Sequence, residues 1–343
     1  MISPDPYHYY SGMGPGVLSE IYEPADARFH VKQMTLDREG AFVQDRVVEI
    51  DPERQIVYTA GGEAIEYDAV SFNTGSYVPH PEYAENNPHQ DFLFPVKPIA
   101  NLLVARQKLT DLFEIKTPKV LVGGGGAAGV EIAANVRALA EKHGSEVEIM
   151  LVAGGALLAQ FDTRFRKKAR EMLADHRINL LERDRVVGIC GNCVNLLSGV
   201  SIQCDLSFMA LGVVPSPIFK KSGLPVGGDG GLLVNEYLQS VAYPNIFGGG
   251  DCIEFQPRRL PKVGVYAVRQ NPFLFGNLHN FLEEKRLDKF IPQSKFLLIL
   301  NMGGGVGLMR WKNLVLKGRA AFQYKNMLDK NFMRTFQVSG ERG

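Results

Sequence analysis

Gly124, Gly126 and Gly129 stand at the spacing G-x-G-x-x-G, inside the run Val120-Leu121-Val122-Gly123-Gly124-Gly125-Gly126-Ala127-Ala128-Gly129-Val130-Glu131. The first glycine permits a tight turn, the second lets a diphosphate reach the backbone, and the third lets helix and strand pack closely. The chemistry on offer is anion binding, because free N–H groups and the positive end of a helix dipole favour a bound phosphate. Ala127 and Glu131, on the first turns of that helix, are counted with the glycines as candidate cofactor-binding residues. The elements around the loop fit this use. Val120–Val122 predicts a strand, the Ala-rich stretch after the loop a helix, and Val147–Val152 a second strand. A glycine-rich turn without a ligand is the bland alternative.

Other reactive residues are sparse. Cys190-Gly191-Asn192-Cys193 has thioredoxin-like spacing, but falls in an expected β-hairpin, where no helix dipole lowers a thiol pKa. Cys204 and Cys252 read as small buried residues. The seven histidines (His8, His30, His80, His89, His143, His176, His279) show no metal-ligand spacing, so no metal site is expected. His143-Gly144 reads as a helix end with its cap, and His8 is left open as a proton relay.

Composition bounds the rest. The 343 residues allow two domains, and a net charge of +1 gives no reason to expect nucleic acid. Four cysteines do not make a disulfide scaffold, which favours a reducing cytoplasm. Met1-Ile2-Ser3-Pro4-Asp5-Pro6 has neither the basic region nor the apolar core of a signal peptide, and no run is long enough to span a bilayer.

The chain also repeats itself. Asp45-Arg46-Val47-Val48-Glu49-Ile50 recurs in the second half of the chain as Asp184-Arg185-Val186-Val187-Gly188-Ile189. Each copy leads to a similar stretch, Tyr67–Gly75 and Cys204–Gly212. Two related domain-scale units follow from this self-similarity. The glycine loop at Gly124 lies well upstream of the second copy at Asp184. At the same spacing the first copy's loop would fall before Met1, so the chain is expected to start inside its first unit, with Met1-Ile2 ending that unit's second strand.

Together these residues resemble the two-dinucleotide-domain flavoproteins of the pyridine nucleotide-disulfide oxidoreductase superfamily, in particular the type II NADH dehydrogenase-like and sulfide:quinone oxidoreductase-like members. Tyr9–Gly16 is similar to the family segment that passes the flavin. Thr74-Gly75 matches the first "ATG" motif and Ala210-Leu211-Gly212 the second. Asn245–Cys252 matches the FAD-closing motif, with Gly250 and Asp251 beside the ribityl and diphosphate region. Pro261–Gln270 matches the helix whose start, at Lys262 and Val263, faces the flavin pyrimidine. A helix N-terminus there suits the negative charge of reduced flavin.

The resemblance implies an α/β fold of two Rossmann-like, three-layer FAD/NAD(P)-binding domains, the first N-terminally truncated, plus a small C-terminal α+β segment. The expected division is 1–112 with 237–290 for FAD, 113–236 for NAD(P)H, and 291–343. It implies an FAD-dependent oxidoreductase taking hydride from NAD(P)H and passing electrons to quinone or another acceptor. A sulfide- or selenide-type flavoprotein without nicotinamide use, and a non-catalytic dinucleotide-fold protein, remain alternatives. No catalytic residue is assigned.

Three features depart from the family: the missing first glycine loop, the nicotinamide selectivity residues and the acceptor motif. Ala153 and Ala159 stand where an acid or arginines would select the nicotinamide, and Arg164, Arg166, Lys167 and Lys168 read as a solvated helix face. The quinone motif A-Q-x-A-x-Q keeps Ala267 and Gln270 but has Val265 for its first Gln, and no C-x-x-x-x-C pair is present. The basic, amphipathic stretch 318–343, with Phe322, Leu328, Phe332 and Phe336 near one face, is expected either to meet a membrane surface or to cap the flavin domain. The first option would place the protein peripherally on the inner face of the membrane.

Overall fold

The computed structural model describes residues 1–79, 82–83, 90–337 and 341. His80, His89 and parts of the 318–343 stretch lie outside the described residues. Two compact units are present: residues 1–8, 30–77 and 213–294 form one, and residues 9–29, 78–212 and 295–343 the other.

The first unit opens with β1 (Val47–Asp51), β2 (Ile56–Thr59) and β3 (Ala64–Glu66), an antiparallel meander, followed by β4 (Val70–Phe72). Upstream of the meander, Ile2 bridges Val43 in parallel.

The second unit then takes over with β5 (Leu93–Pro95), helix α1 (Ala100–Phe113), β6 (Lys119–Gly123), α2 (Ala127–Lys142), β7 (Glu148–Ala153), α3 (Thr163–Asp175) and β8 (Ile178–Glu182). A second meander, β9 (Val186–Cys190), β10 (Cys193–Leu196) and β11 (Ser201–Gln203), leads into β12 (Leu206–Met209). Five of these strands make an all-parallel sheet in the order β8-β7-β6-β12-β5. β5, counted with the first unit on sequence grounds, is therefore an edge strand of this sheet. Covered strands of a parallel sheet carry continuous apolar runs, as Val120, Leu121 and Val122 do here, all buried. The chain leaves β6 toward β7 on one side and returns through β12 on the other. That makes the end of β6 the switch point at which such sheets bind ligands.

The two meanders confirm the repeat in detail. Each carries a register shift at the same place in its first strand, between Val47 and Glu49 in one and between Val186 and Gly188 in the other. The leading aspartates repeat a role as well. Asp45 accepts the N–H of Gly61 at 2.8 Å, and Asp184 accepts that of Ser198 at 3.2 Å, each fixing its own meander.

The first unit resumes with β13 (Leu232–Val234), β14 (Ile246–Gly248), β15 (Ile253–Phe255) and α4 (Gly264–Leu282). β14 pairs in parallel with β4, and β15 with β13. Helix α4 begins shortly after Pro261 and buries Tyr266, Gln270, Leu274 and Asn277, one stripe at helical spacing. The second unit ends in the antiparallel sheet β16 (Leu298–Asn301), β17 (Gly307–Trp311) and β18 (Leu314–Gly318), then α5 (Arg319–Phe336). Among the described residues no helix is long and apolar enough to cross a membrane.

Candidate functional site

The glycine loop joins β6 to α2. Gly124 has φ +126, and a Cβ there would meet the Ala210 carbonyl oxygen at 2.1 Å. A Cβ at Gly129 would stand 1.8 Å from the Gly124 carbonyl oxygen, so helix and turn touch through that position. Gly126 is different: it is the N-cap of α2, makes no side-chain cap, and has nothing within 4 Å of its missing Cβ. Two glycines therefore serve packing and the third faces open space beside the free N–H groups of Ala127 and its successors, where an anion is stabilised. Gly212, after β12, has φ +91 and is likewise open.

Glu131 lies one turn into α2, and its Oε1 accepts the Asn301 N–H at 2.7 Å. Burial pushes its carboxyl up to about 7, against the lowering effects of the nearby Lys325 charge and the Asn301 N–H. Lys325 and Asp329 form a buried ion pair, Nζ to Oδ2 2.5 Å, with side chains 10% and 8% exposed. Lys325 Nζ also donates to the Gly12 carbonyl at 2.7 Å. The Tyr10 hydroxyl lies 3.5 Å from Asp329 Oδ1, and burial followed by the Asp329 charge holds this phenol well above its ordinary range. Ser19, Asn135 and Asn301 extend the polar cluster: the Ser19 hydroxyl donates to Asn135 Oδ1 at 2.7 Å, and Asn135 Nδ2 to the Asn301 carbonyl at 3.0 Å.

Helix α5 carries charge on its buried face, away from the position the aromatic spacing alone would give Lys325. Its buried face holds Ala321, Phe322, Lys325, Asp329 and Met333. Leu328, expected with the aromatic face, is exposed beside Tyr324 and Met327. Lys325, Asp329 and Tyr10 were not singled out as site residues. The sequence signal available was the i,i+4 spacing of a cation and an acid on one helix.

In the first unit Thr74, Gly75, Gly250 and Asp251 come together. Ser76 Oγ donates to Asp251 Oδ2 at 2.8 Å, and the Gly250 N–H donates to Gln270 Oε1 at 2.7 Å. Gly75 and Gly250 both have positive φ, +65 and +75. Gln270, matched above to a quinone motif, is buried and braces the Gly250 turn. Cys252 Sγ lies within hydrogen-bond reach of the carbonyls of Phe72 and Gly249, at 3.2 and 3.1 Å, and burial pushes its thiol up. Lys262 and Val263 line the same cleft as Asp251. The Lys262 ammonium is paired with Asp229 at 2.9 Å and donates to the Ile253 carbonyl, and Val263, whose N–H donates to the Pro261 carbonyl at 2.9 Å, is the N-cap of α4.

Cys190 and Cys193 face one another across a two-residue hairpin turn, and burial pushes the Cys204 thiol up to about 12. Among the described residues no group of three His, Cys, Asp or Glu could hold a metal ion. His143 is the C-cap of α2, followed by Gly144 at φ +62, and His8 is exposed.

Comparison with known proteins accords with this geometry. Ferroptosis suppressor protein 1 of Taeniopygia guttata is 30% identical over 283 residues, covering 78% of this chain and 71% of that protein. Demethylphylloquinone reductase NdbB of Synechocystis is 27% identical over 251 residues, 69% of this chain and 60% of that protein. The structure of NDH2 from Plasmodium falciparum in complex with NADH superposes with a TM-score of 0.83 at 16% identity, over 98% of this chain and 91% of that one. Residues 7–270 match the pyridine nucleotide-disulphide oxidoreductase family. With the glycine loop, the duplicated meanders and the motifs between them all inside that span, the chain belongs to the pyridine nucleotide-disulphide oxidoreductase family.

Proposed function

We propose that this chain is an FAD-dependent NAD(P)H oxidoreductase that delivers electrons to a quinone. The observation that carries the reading is the open Gly126 position at the start of α2, with nothing within 4 Å of where a Cβ would stand, in a chain of this family. The residues present fit the nicotinamide dinucleotide and the ribityl and pyrimidine side of FAD. Gly124, Gly126, Ala127 and Gly129 would take the nicotinamide diphosphate on backbone N–H groups. Asp251, held by Ser76, would accept hydrogen bonds from ribityl hydroxyls, with Gly250 allowing close approach. Thr74 and Gly75 share that turn, Gly212 borders the nicotinamide side, and the α4 start at Val263 would place N–H groups toward the pyrimidine edge.

FAD, when bound, accepts the hydride and releases electrons to the second substrate. The protein's part is positioning and proton handling. Glu131, raised to about 7, can hold or give up a proton near neutrality, and Lys325 and Asn301 fix the charge around it. Relatives whose names specify a quinone reductase or an NADH dehydrogenase support the choice of substrates.

We further infer peripheral attachment to the inner face of the membrane. Between residues 295 and 337 the sequence has eight Lys or Arg and one Asp, although the whole chain carries only +1. Trp311, Leu314, Leu316, Tyr324, Met327 and Leu328 are exposed in the same stretch. Basic charge interleaved with exposed apolar side chains suits an anionic bilayer surface. Anaerobic titration of the FAD-reconstituted protein tests the reading. NADH or NADPH should bleach the oxidised-flavin spectrum, and a short-chain quinone should restore it. No bleaching by either nicotinamide would end the proposal.

A further inference from the structure

Ala153 and Ala159 stand where a group selecting the nicotinamide is expected. Ala153, at the end of β7, is buried, and a Cβ on Gly125 would meet its Cβ at 2.4 Å. A carboxylate aimed at a ribose has no room there. The loop that follows is stitched to the glycine loop: Leu158 N–H donates to the Gly125 carbonyl at 2.7 Å, and Gly124 N–H to that of Val152 at 2.7 Å. A dinucleotide with its diphosphate at Gly126 therefore presents its adenosine ribose to Gly154 and Gly155, both exposed.

Against those two glycines lies the turn after β8. Arg183, at φ +64, donates its N–H to the Gly155 carbonyl at 3.1 Å, and Asp184 donates its own to the Ala153 carbonyl at 3.3 Å. The Cβ of Arg185 stands 3.1 Å from where a Gly154 Cβ would be. Both arginines are exposed. The acids nearby are committed: Glu182 to a two-bond pair with Arg170, at 2.7 and 3.1 Å, and to the Leu157 N–H. Asp184 is committed to the N–H and hydroxyl of Ser198. Arg166, whose Nε donates to the Leu157 carbonyl, adds a further cation on the α3 side. The end of β7 is thus a glycine surface flanked by the exposed side chains of Arg183 and Arg185, with the one carboxylate between them, Asp184, turned to Ser198. Two guanidinium groups outweigh the single Asp184 carboxylate and favour a phosphate monoester on the ribose.

We propose that Arg183 and Arg185 form a 2′-phosphate subsite and that the chain takes NADPH in preference to NADH. This rests on the oxidoreductase reading above. The test is calorimetric binding of 2′,5′-ADP and 5′-ADP to the full chain, with no flavin turnover involved. Two charge-assisted contacts should make 2′,5′-ADP the tighter ligand by roughly tenfold or more at low salt, with the ratio shrinking as salt rises. Arg183→Gly, which suits the left-handed backbone, combined with Arg185→Ala should bring the ratio close to one, while Lys at both positions should keep part of it. Equal affinities in the unsubstituted protein, or a ratio that survives the double substitution, would overturn the subsite and leave the oxidoreductase reading standing. Failure to bind either nucleotide would overturn both. In turnover, the substitutions should raise KM for NADPH with little effect on kcat.

Discussion

Glu131 accepts the backbone N–H of Asn301 at 2.7 Å, joining the helix of the glycine loop to a strand 170 residues downstream. Its folded value, about 7, lies above the ordinary 4.5, so folding takes up a proton between those limits. The stabilisation is fully present below the unfolded value and is lost as pH rises through about 7. Glu131→Gln should flatten this part of the stability profile. From pH 5 to pH 8 the urea midpoint should fall for the parent and change less for the variant; parallel profiles would show that Glu131 does not titrate in this window.

The three loop glycines should separate by consequence. Gly129→Ala forces a Cβ onto the Gly124 carbonyl and should lower stability or prevent folding. Gly126→Ala meets nothing in the free chain and should fold with a Tm within a few degrees of the parent, yet bind nicotinamide nucleotide at least tenfold more weakly. Thermal melting and nucleotide titration of the pair distinguish packing from binding. A Gly126→Ala protein of parental affinity would remove the diphosphate from this loop.

Breaking the Lys325–Asp329 pair leaves a buried charge, which typically costs about 3–5 kcal/mol, and Asp329→Leu or Lys325→Met alone should each lose that much. The double substitution should recover most of the loss. Denaturant unfolding of the three variants measures this directly, and additive losses would mean the two groups are not coupled.

Leu314→Glu with Leu316→Glu should leave folding within about 0.5 kcal/mol, since both side chains are exposed, but should weaken sedimentation with anionic vesicles severalfold. Unaltered sedimentation would place the bilayer contact elsewhere.

Much of this molecule could be read from its sequence because its clearest signals are local. The glycine loop needs only a strand before it and a helix after it. The duplicated meanders retain the same leading aspartate and the same register shift in their first strands. What escaped depends on proximity between distant segments. Lys325 falls off the aromatic face of an amphipathic stretch, and only the fold brings it to Gly12 and Asp329 in a buried cluster with Tyr10. Arg183 and Arg185 are parted from Ala153 by the whole of α3 and β8, and only the parallel pairing of β7 with β8, Ala153 beside Glu182, sets them against its loop.

Tyr10 and Asp329 are separated by 319 residues along the chain. At synthesis rates of about 5–20 residues per second, the acid emerges roughly a quarter of a minute to a minute after the phenol. Throughout that interval the tyrosine and its neighbours at 9–29 have no partner from α5. The second unit therefore closes only when translation has passed that helix. A slow ribosome, rather than a weak interaction, would set how long this segment is open to chaperones and proteases.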